Sequence, residues 1–260
     1  MFKLHNKNMI CYNLRMFYFE NIEEKRILKS DFIENAQAFF TTRDFCICDK
    51  STNENPQIYV DKKTISDYLK IEENNLIFPE QTHSANIDVA IETNHAYPDC
   101  DALILTNKTQ GIFLNFADCT PIILYDEVQN IGAIAHAGWR GTVQKIAALT
   151  AQNLTENFNS KMENIVALIG PAIGFCCYNV GQEVYEKLSK TVSNFDGLFE
   201  IKNNEIFVDL KGINKRQLEE LGIEKIDVCP YCTVHNNDLF YSYRNENGTG
   251  KRHSAVLKLR

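Results

Sequence analysis

No stretch of this 260-residue chain approaches the roughly 18 unbroken apolar residues that a membrane-spanning helix needs. The opening segment, MFKLHNKNMICYNLRMFYFE, interrupts each apolar run with Asn, Lys or Arg, so neither a secretory leader nor a membrane anchor is expected. A basic surplus is lacking too. With 27 Lys and Arg against 34 Asp and Glu, the formal charge is -7 at pH 7, which removes the general electrostatic reason to hold nucleic acid or an anionic membrane. A small substrate is the default expectation. Nor do the nine cysteines lay out a disulfide framework: their number is odd, their spacing is irregular, and Cys176 and Cys177 are adjacent. Reduced thiols and a cytoplasmic location are therefore expected. There is no internal repeat and no low-complexity linker. With 44% hydrophobic residues the chain has enough apolar material for one large core, expected as a single domain over residues 1–260.

What is present is a long series of short apolar runs with strand character. From residue 76 onward these read NLIF, ANIDVAI, DALIL, GIFLNF, PIILY, IGAIAHA, NIVALIG, EIFVDL, LFYSY and SAVLKL. Amphipathic segments lie between them. One follows Thr142, its expected N-cap, with Val143, Ile146, Ala147, Thr150 and Leu154 on one face. A second runs from Gln182 to about Lys190, and a third from Asn214 to Leu221, closed by Gly222. The class is α/β of the α+β kind, with mixed sheets covered by helices and a hairpin-like connection at Ala117–Pro121. Residues 44–75 are polar with no persistent period, and read as an insertion or a loop over the site.

Three breaks between strands carry the residues best suited to chemistry. Cys119 stands in GIFLNFADCTPIILYD, where Pro121 suits the start of the second strand because it has no N–H for the ladder. His136 ends IGAIAHAGWRGT, and the Arg140 guanidinium and the following helix start form a receptor for phosphate or carboxylate. His83 lies in PEQTHSANI, another polar break. Two imidazoles and a thiolate suit a borderline-soft cation, and three protein ligands leave a tetrahedral zinc one open position. Taken alone, each has a plainer reading, His83 as a solvated histidine and Cys119 as a small buried apolar side chain. The remaining cysteines offer a competing structural site, Cys46 and Cys48 with Cys229 and Cys232, while Cys176 and Cys177 read as packed core.

Several blocks in fixed order identify a resemblance: EQTHS (80–84), DALIL (101–105), ADCTPIILYD (117–126), HAGWRGT (136–142), GPAIGFCCYNVG (170–181) and CTVHNNDLFYSYRNENGTGKR (232–252). Together they resemble the laccase-domain or multicopper polyphenol oxidase family, also described as purine nucleoside phosphorylases and as peptidoglycan-editing-factor-like proteins, from about residue 39 to the end. The resemblance implies that His83, Cys119 and His136 bind one zinc at the catalytic centre, within a mixed β-sandwich flanked by helices; Asp118 is a further catalytic candidate, to orient a ligand or exchange a proton, with a turn residue as its plainer reading. The resemblance also implies phosphorolysis of adenosine, inosine, guanosine or methylthioadenosine by inorganic phosphate, with adenosine deamination as a second activity. Arg43 is the substrate or phosphate contact carried over from the family; Arg140, Arg244, Gln81 and Asp101 are the further candidates, with Arg244 otherwise a surface cation and Asp101 either a buttress behind His83 or His136 or a turn residue. Where the family follows Thr-Thr-Arg with a glycine-rich segment, this chain reads TTRDFCICDKS, and its last block has Gly-Thr-Gly-Lys-Arg.

Rival readings use the same residues. Copper in place of zinc gives a polyphenol oxidase, although six histidines are few for several coppers. Cys119 as nucleophile with His136 as base gives a metal-free hydrolase of an ester or amide, such as a cell-wall precursor. A closed, four-ligand zinc would instead mark a non-catalytic binding protein.

Overall fold

The computed structural model describes residues 17–52, 55–91 and 96–260. The expectation drawn from the N-terminal segment falls mostly on residues 1–16 and lies outside them, as do His5 and His95. In chain order the elements are β1 (Phe17–Ile22), β2 (Lys25–Ser30), β3 (Ala36–Thr41), α1 (Pro56–Leu69), β4 (Leu76–Ile77), β5 (Ile87–Ala90), β6 (Ala102–Leu105), β7 (Gly111–Phe116), β8 (Thr120–Asp126) and β9 (Ile131–Ala137). Then come α2 (Trp139–Val143), α3 (Ile146–Phe158), β10 (Ile165–Ile169), β11 (Asn179–Val180), α4 (Gln182–Leu188), β12 (Phe199–Lys202), β13 (Glu205–Val208), α5 (Leu210–Glu219), β14 (Lys225–Val228) and β15 (His253–Leu259).

Two six-stranded mixed sheets form the body. The first has the order β1-β2-β3-β15-β7-β4 and the second β14-β10-β8-β9-β6-β5. Phe40, Leu114, Phe116 and Leu257 of the first pack against Leu103, Ile123, Ile134 and Leu168 of the second. Each sheet also buries its outer face. Ile104, Ile122, Leu124 and Ala135 meet Ile146, Ala147, Ala151 and Leu154 of α3 and Leu218 of α5. On the other side Phe39, Phe113 and Val256 meet Ile65 and Leu69 of α1. This explains why β8 and β9 read as unbroken apolar runs: strands buried on both faces have no polar alternation. The mixed sandwich flanked by helices is thus the architecture of the chain, with a small third sheet, β11-β13-β12, beside α4.

Five local expectations are corrected. Residues 44–75 contain α1, which Asn55 caps by accepting a hydrogen bond from Gln57 N at 3.0 Å, with Pro56 in its first turn and Lys70 left-handed at its end. The Ala117–Pro121 segment is no hairpin, because β7 and β8 belong to different sheets and the turn carries the chain between them. Thr142 is not an N-cap. It lies buried within α2, where its hydroxyl accepts a hydrogen bond from Asn214 at 2.9 Å, and Lys145 (φ 61°) breaks the chain before α3. LFYSY forms turns and not a strand: Leu239 and Phe240 both donate their N–H to the Asn236 carbonyl, and Phe240 and Tyr241 are buried as single anchors. The helix expected from Asn214 begins earlier, capped by Asp209, and Gly222 (φ 89°) turns the chain beyond its end.

Candidate metal centre and its cleft

Strand register fixes two of the three ligand candidates. Thr120 pairs with Ala137 and Pro121 with His136, so Cys119, one residue before β8, stands beside the end of β9. His83 reaches the same place from the loop between β4 and β5. Its backbone is left-handed (φ 66°), a conformation that costs a non-glycine residue energy unless its surroundings hold it. The holder is Asp101. This fully buried carboxylate accepts hydrogen bonds from the N–H groups on both sides of His83, Thr82 N at 3.1 Å and Ser84 N at 2.6 Å, and from the Ser84 hydroxyl at 2.9 Å. Its other oxygen lies 2.6 Å from His136 Nδ1. One residue therefore fixes both the His83 backbone and the His136 ring, leaving His136 Nε2 to face Cys119.

The Cys119 sulfur lies 3.8 Å from His83 Nε2, and the ligand atoms of His83, Cys119 and His136 are all within 4.8 Å of one another. A tetrahedral zinc with ordinary bond lengths separates its N and S ligands by roughly 3.3–3.7 Å, so small side-chain adjustments suffice to hold one. Gly138 clears the space. A Cβ there would stand 2.9 Å from the Cys119 sulfur and 3.1 Å from His83 Cδ2. The charges agree with a thiolate ligand. Burial alone would raise the Cys119 thiol, but the charge and hydrogen bonds of His136 and then His83 outweigh it and bring it down to about 6. Burial likewise works against protonated His136, yet the Cys119 thiolate and Asp101 raise it to about 9. The Asp101 carboxyl is held well below its usual range despite its burial, by His136 first and then Ser84.

These residues open on a cleft of about 410 Å³ whose lining includes Lys50, Arg140, Arg244 and Arg252, with Tyr178 and Tyr243. Lys50 has no signal of its own in the sequence; it and Arg252 lie on loops, and only the fold turns them inward. Of the Lys251–Arg252 pair, it is Arg252 that lines the cleft. Arg140 lies over the Trp139 ring at 4.3 Å, and Arg244 bonds Asn179 and faces Tyr178. Asp118 is strained (φ 83°) and both its oxygens are engaged, by the Thr233 hydroxyl at 2.6 Å and Arg244 N at 2.7 Å. Gln81 lines the cleft with its amide doubly bonded to the Asn115 backbone. Arg43 stands elsewhere. It bonds the Asn237 carbonyl, lies over Tyr241, and pairs with Glu246 at 3.6 Å.

The four-cysteine alternative does not assemble. Cys46 lies beside Asn55, Cys229 is packed between the two large sheets, and Cys232 sits with Cys176, Cys177 and His235. Cys176 is exposed, which corrects its reading as packed core. The eight described cysteines are free thiols.

Known proteins resemble this chain in sequence and in fold. The chain is 29% identical over 217 residues to the purine nucleoside phosphorylase YlmD of Bacillus subtilis, covering 78% of each. It is 28% identical over 249 residues to adenosine deaminase RL5 of an unknown prokaryotic organism, covering 86% of this chain and 94% of that one. The crystal structure of YlmD from Geobacillus stearothermophilus superposes with a TM-score of 0.85 at 25% identity, covering 95% of this chain and 99% of that one. Residues 41–259 match the model of a family described as multi-copper polyphenol oxidoreductase laccase, and the chain belongs to that family.

Proposed function

We propose that this chain is a zinc-dependent purine nucleoside phosphorylase, cleaving adenosine, inosine, guanosine or methylthioadenosine with inorganic phosphate. The observation that carries the reading is the pairing of an open His-Cys-His ligand set with four cationic side chains in one cleft. His83, Cys119 and His136 would hold the ion, which supplies a Lewis acid with one coordination position left for an oxygen ligand. Phosphate is the natural counterpart of Lys50, Arg140, Arg244 and Arg252, and guanidinium groups bind its oxygens in pairs. A phosphate oxygen so placed attacks ribose C1′ while the glycosidic C–N bond breaks and its electron pair leaves with the purine. Positive charge develops at C1′ as the base departs, and the aligned phosphate stabilises it. Tyr178 and Tyr243 offer flat walls for the purine.

Asp118 acts here by position: it ties the loop before Cys119 to Thr233 and to the backbone of Arg244. Arg43, through Glu246 and Asn237, braces the segment that carries Arg244. Adenosine deamination is the second reading, favoured by the name of the RL5 relative and by a three-residue ligand set that would leave a bound metal one position for water. Copper at this centre is the less favoured metal, since a multicopper oxidase needs more imidazoles than six histidines provide. The free described thiols suit the reducing cytoplasm.

Metal analysis of protein purified without added metal, followed by incubation with inosine and phosphate, tests the proposal. Zinc bound at His83, Cys119 and His136 together with phosphate-dependent release of ribose 1-phosphate is the expected result. Metal-free protein that hydrolyses esters through Cys119, or phenol oxidation restored by copper alone, would overturn it.

A further inference from the structure

Separate from the His83, Cys119 and His136 group, a second group of soft ligands converges. Cys176 and Cys177 come from the loop between β10 and β11, and Cys232 and His235 from the segment after β14. One ligand atom from each of the four lies within 4.8 Å of all the others. The Cys176 sulfur is 3.5 Å from His235 Nδ1, and the Cys177 sulfur is 3.3 Å from His235 Nε2. Nothing in the purine reading uses these residues.

Two features show that the loop is shaped around the sulfurs. A Cβ on Gly174 would lie 3.2 Å from the Cys176 sulfur, 3.3 Å from that of Cys232 and 3.0 Å from its Cβ, so glycine lets the backbone close over them. Its N–H donates to the Cys232 sulfur at 3.2 Å, the kind of outer hydrogen bond that steadies a thiolate ligand. Cys232 is buried while Cys176 and His235 are exposed, so the site has an anchored floor and an entry path.

We infer that Cys176, Cys177, Cys232 and His235 form a second, closed zinc site. Three thiolates and one imidazole are a ligand set of structural zinc, and four protein ligands leave no position for substrate. Its place in the fold gives it work. Ile173 and Tyr178, which flank the first two sulfurs in sequence, line the catalytic cleft, and Thr233, next to Cys232, holds Asp118. Zinc would therefore pin two loops of the cleft wall to each other.

The test is metal stoichiometry on the full chain. Wild-type protein loaded with zinc and freed of excess is expected to hold two equivalents. Cys119→Ala should keep the second site and hold one; the double substitution Cys176→Ser with Cys177→Ser should keep the first and hold one. Alkylation mapping on wild-type protein removes dependence on the variants' folding: zinc should slow iodoacetamide labelling of Cys176 and Cys177 at least tenfold, and a chelator should restore it. One equivalent in wild type, with unchanged labelling of Cys176 and Cys177, would overturn the inference while leaving the His83–Cys119–His136 centre standing. A disulfide among Cys176, Cys177 and Cys232 in freshly isolated protein would overturn it equally.

Discussion

At the scale of single residues, the candidate centre is held by electrostatics that can be measured. In metal-free protein the Cys119 thiol should react with iodoacetamide along a pH curve with its midpoint near 6, because His136 and His83 stabilise the thiolate. Asp101→Asn should move that midpoint upward, since the Asp101 carboxylate helps to keep His136 charged. A midpoint at the ordinary thiol value, or one indifferent to Asp101, would remove the ion pair. His253 gives a second readout. Buried between Phe116 and Phe240 with Nε2 3.3 Å from the Pro171 carbonyl, it is pushed down to about 4, chiefly by burial. Well above pH 6.5 it is neutral whether folded or unfolded. As pH falls from 6.5 to 4 the unfolded chain takes up a proton that the folded chain refuses, so stability declines by up to about 3 kcal/mol and then levels off. Urea titrations of wild type and His253→Phe across this range should differ in slope, with the variant flatter; parallel curves would refute the assignment.

At the scale of elements, α1 shows what a polar sequence hides. Its buried face includes Asp61 as well as Ile65 and Leu69, while Tyr59 and Val60 are exposed, so the helical period is blurred. Asp61 is fully buried, accepting hydrogen bonds from Cys46 N at 2.6 Å and Gln57 at 2.8 Å and pairing with Lys25. Removing it leaves a buried N–H and a half-buried ammonium without their partner. Asp61→Ala should therefore cost about 3 kcal/mol in urea unfolding, and Asp61→Asn less. A loss below about 0.5 kcal/mol, the range of an ordinary surface change, would show that α1 is not anchored there. The strands β6 to β10 and β15 were legible because two-sided burial leaves plain apolar runs. LFYSY misleads for a related reason: buried aromatics that anchor a turn imitate the composition of a strand. The ligand candidates were visible as His and Cys at strand ends. Their meeting was not, since it depends on the β8–β9 register and on Asp101 reaching across to the His83 loop. The same holds for Cys176 and Cys177, whose partner His235 is 58 residues from Cys177.

At the scale of the whole molecule, the net charge of -7 contrasts with the cleft, where Lys50, Arg140, Arg244 and Arg252 gather around an opening in which Asp118 is the one lining carboxylate among the described residues. An acidic protein repels anions in general, so the cleft must supply a local field strong enough to reverse that tendency. Such a field is screened by salt, with a Debye length of about 10 Å at 0.1 M. If the cations serve phosphate, raising ionic strength should raise KM for phosphate while leaving KM for inosine nearly constant, because the nucleoside is neutral. Arg140→Ala should raise KM for phosphate about 10–100-fold, the equivalent of losing a charge-assisted contact of roughly 1.5–3 kcal/mol. Arg43→Ala should act differently. Its guanidinium is engaged with Glu246, Asn237 and Tyr241, so its loss should lower thermal stability more than it changes phosphate KM. A larger phosphate effect from Arg43 than from Arg140 would relocate the anion away from the cleft beside His136.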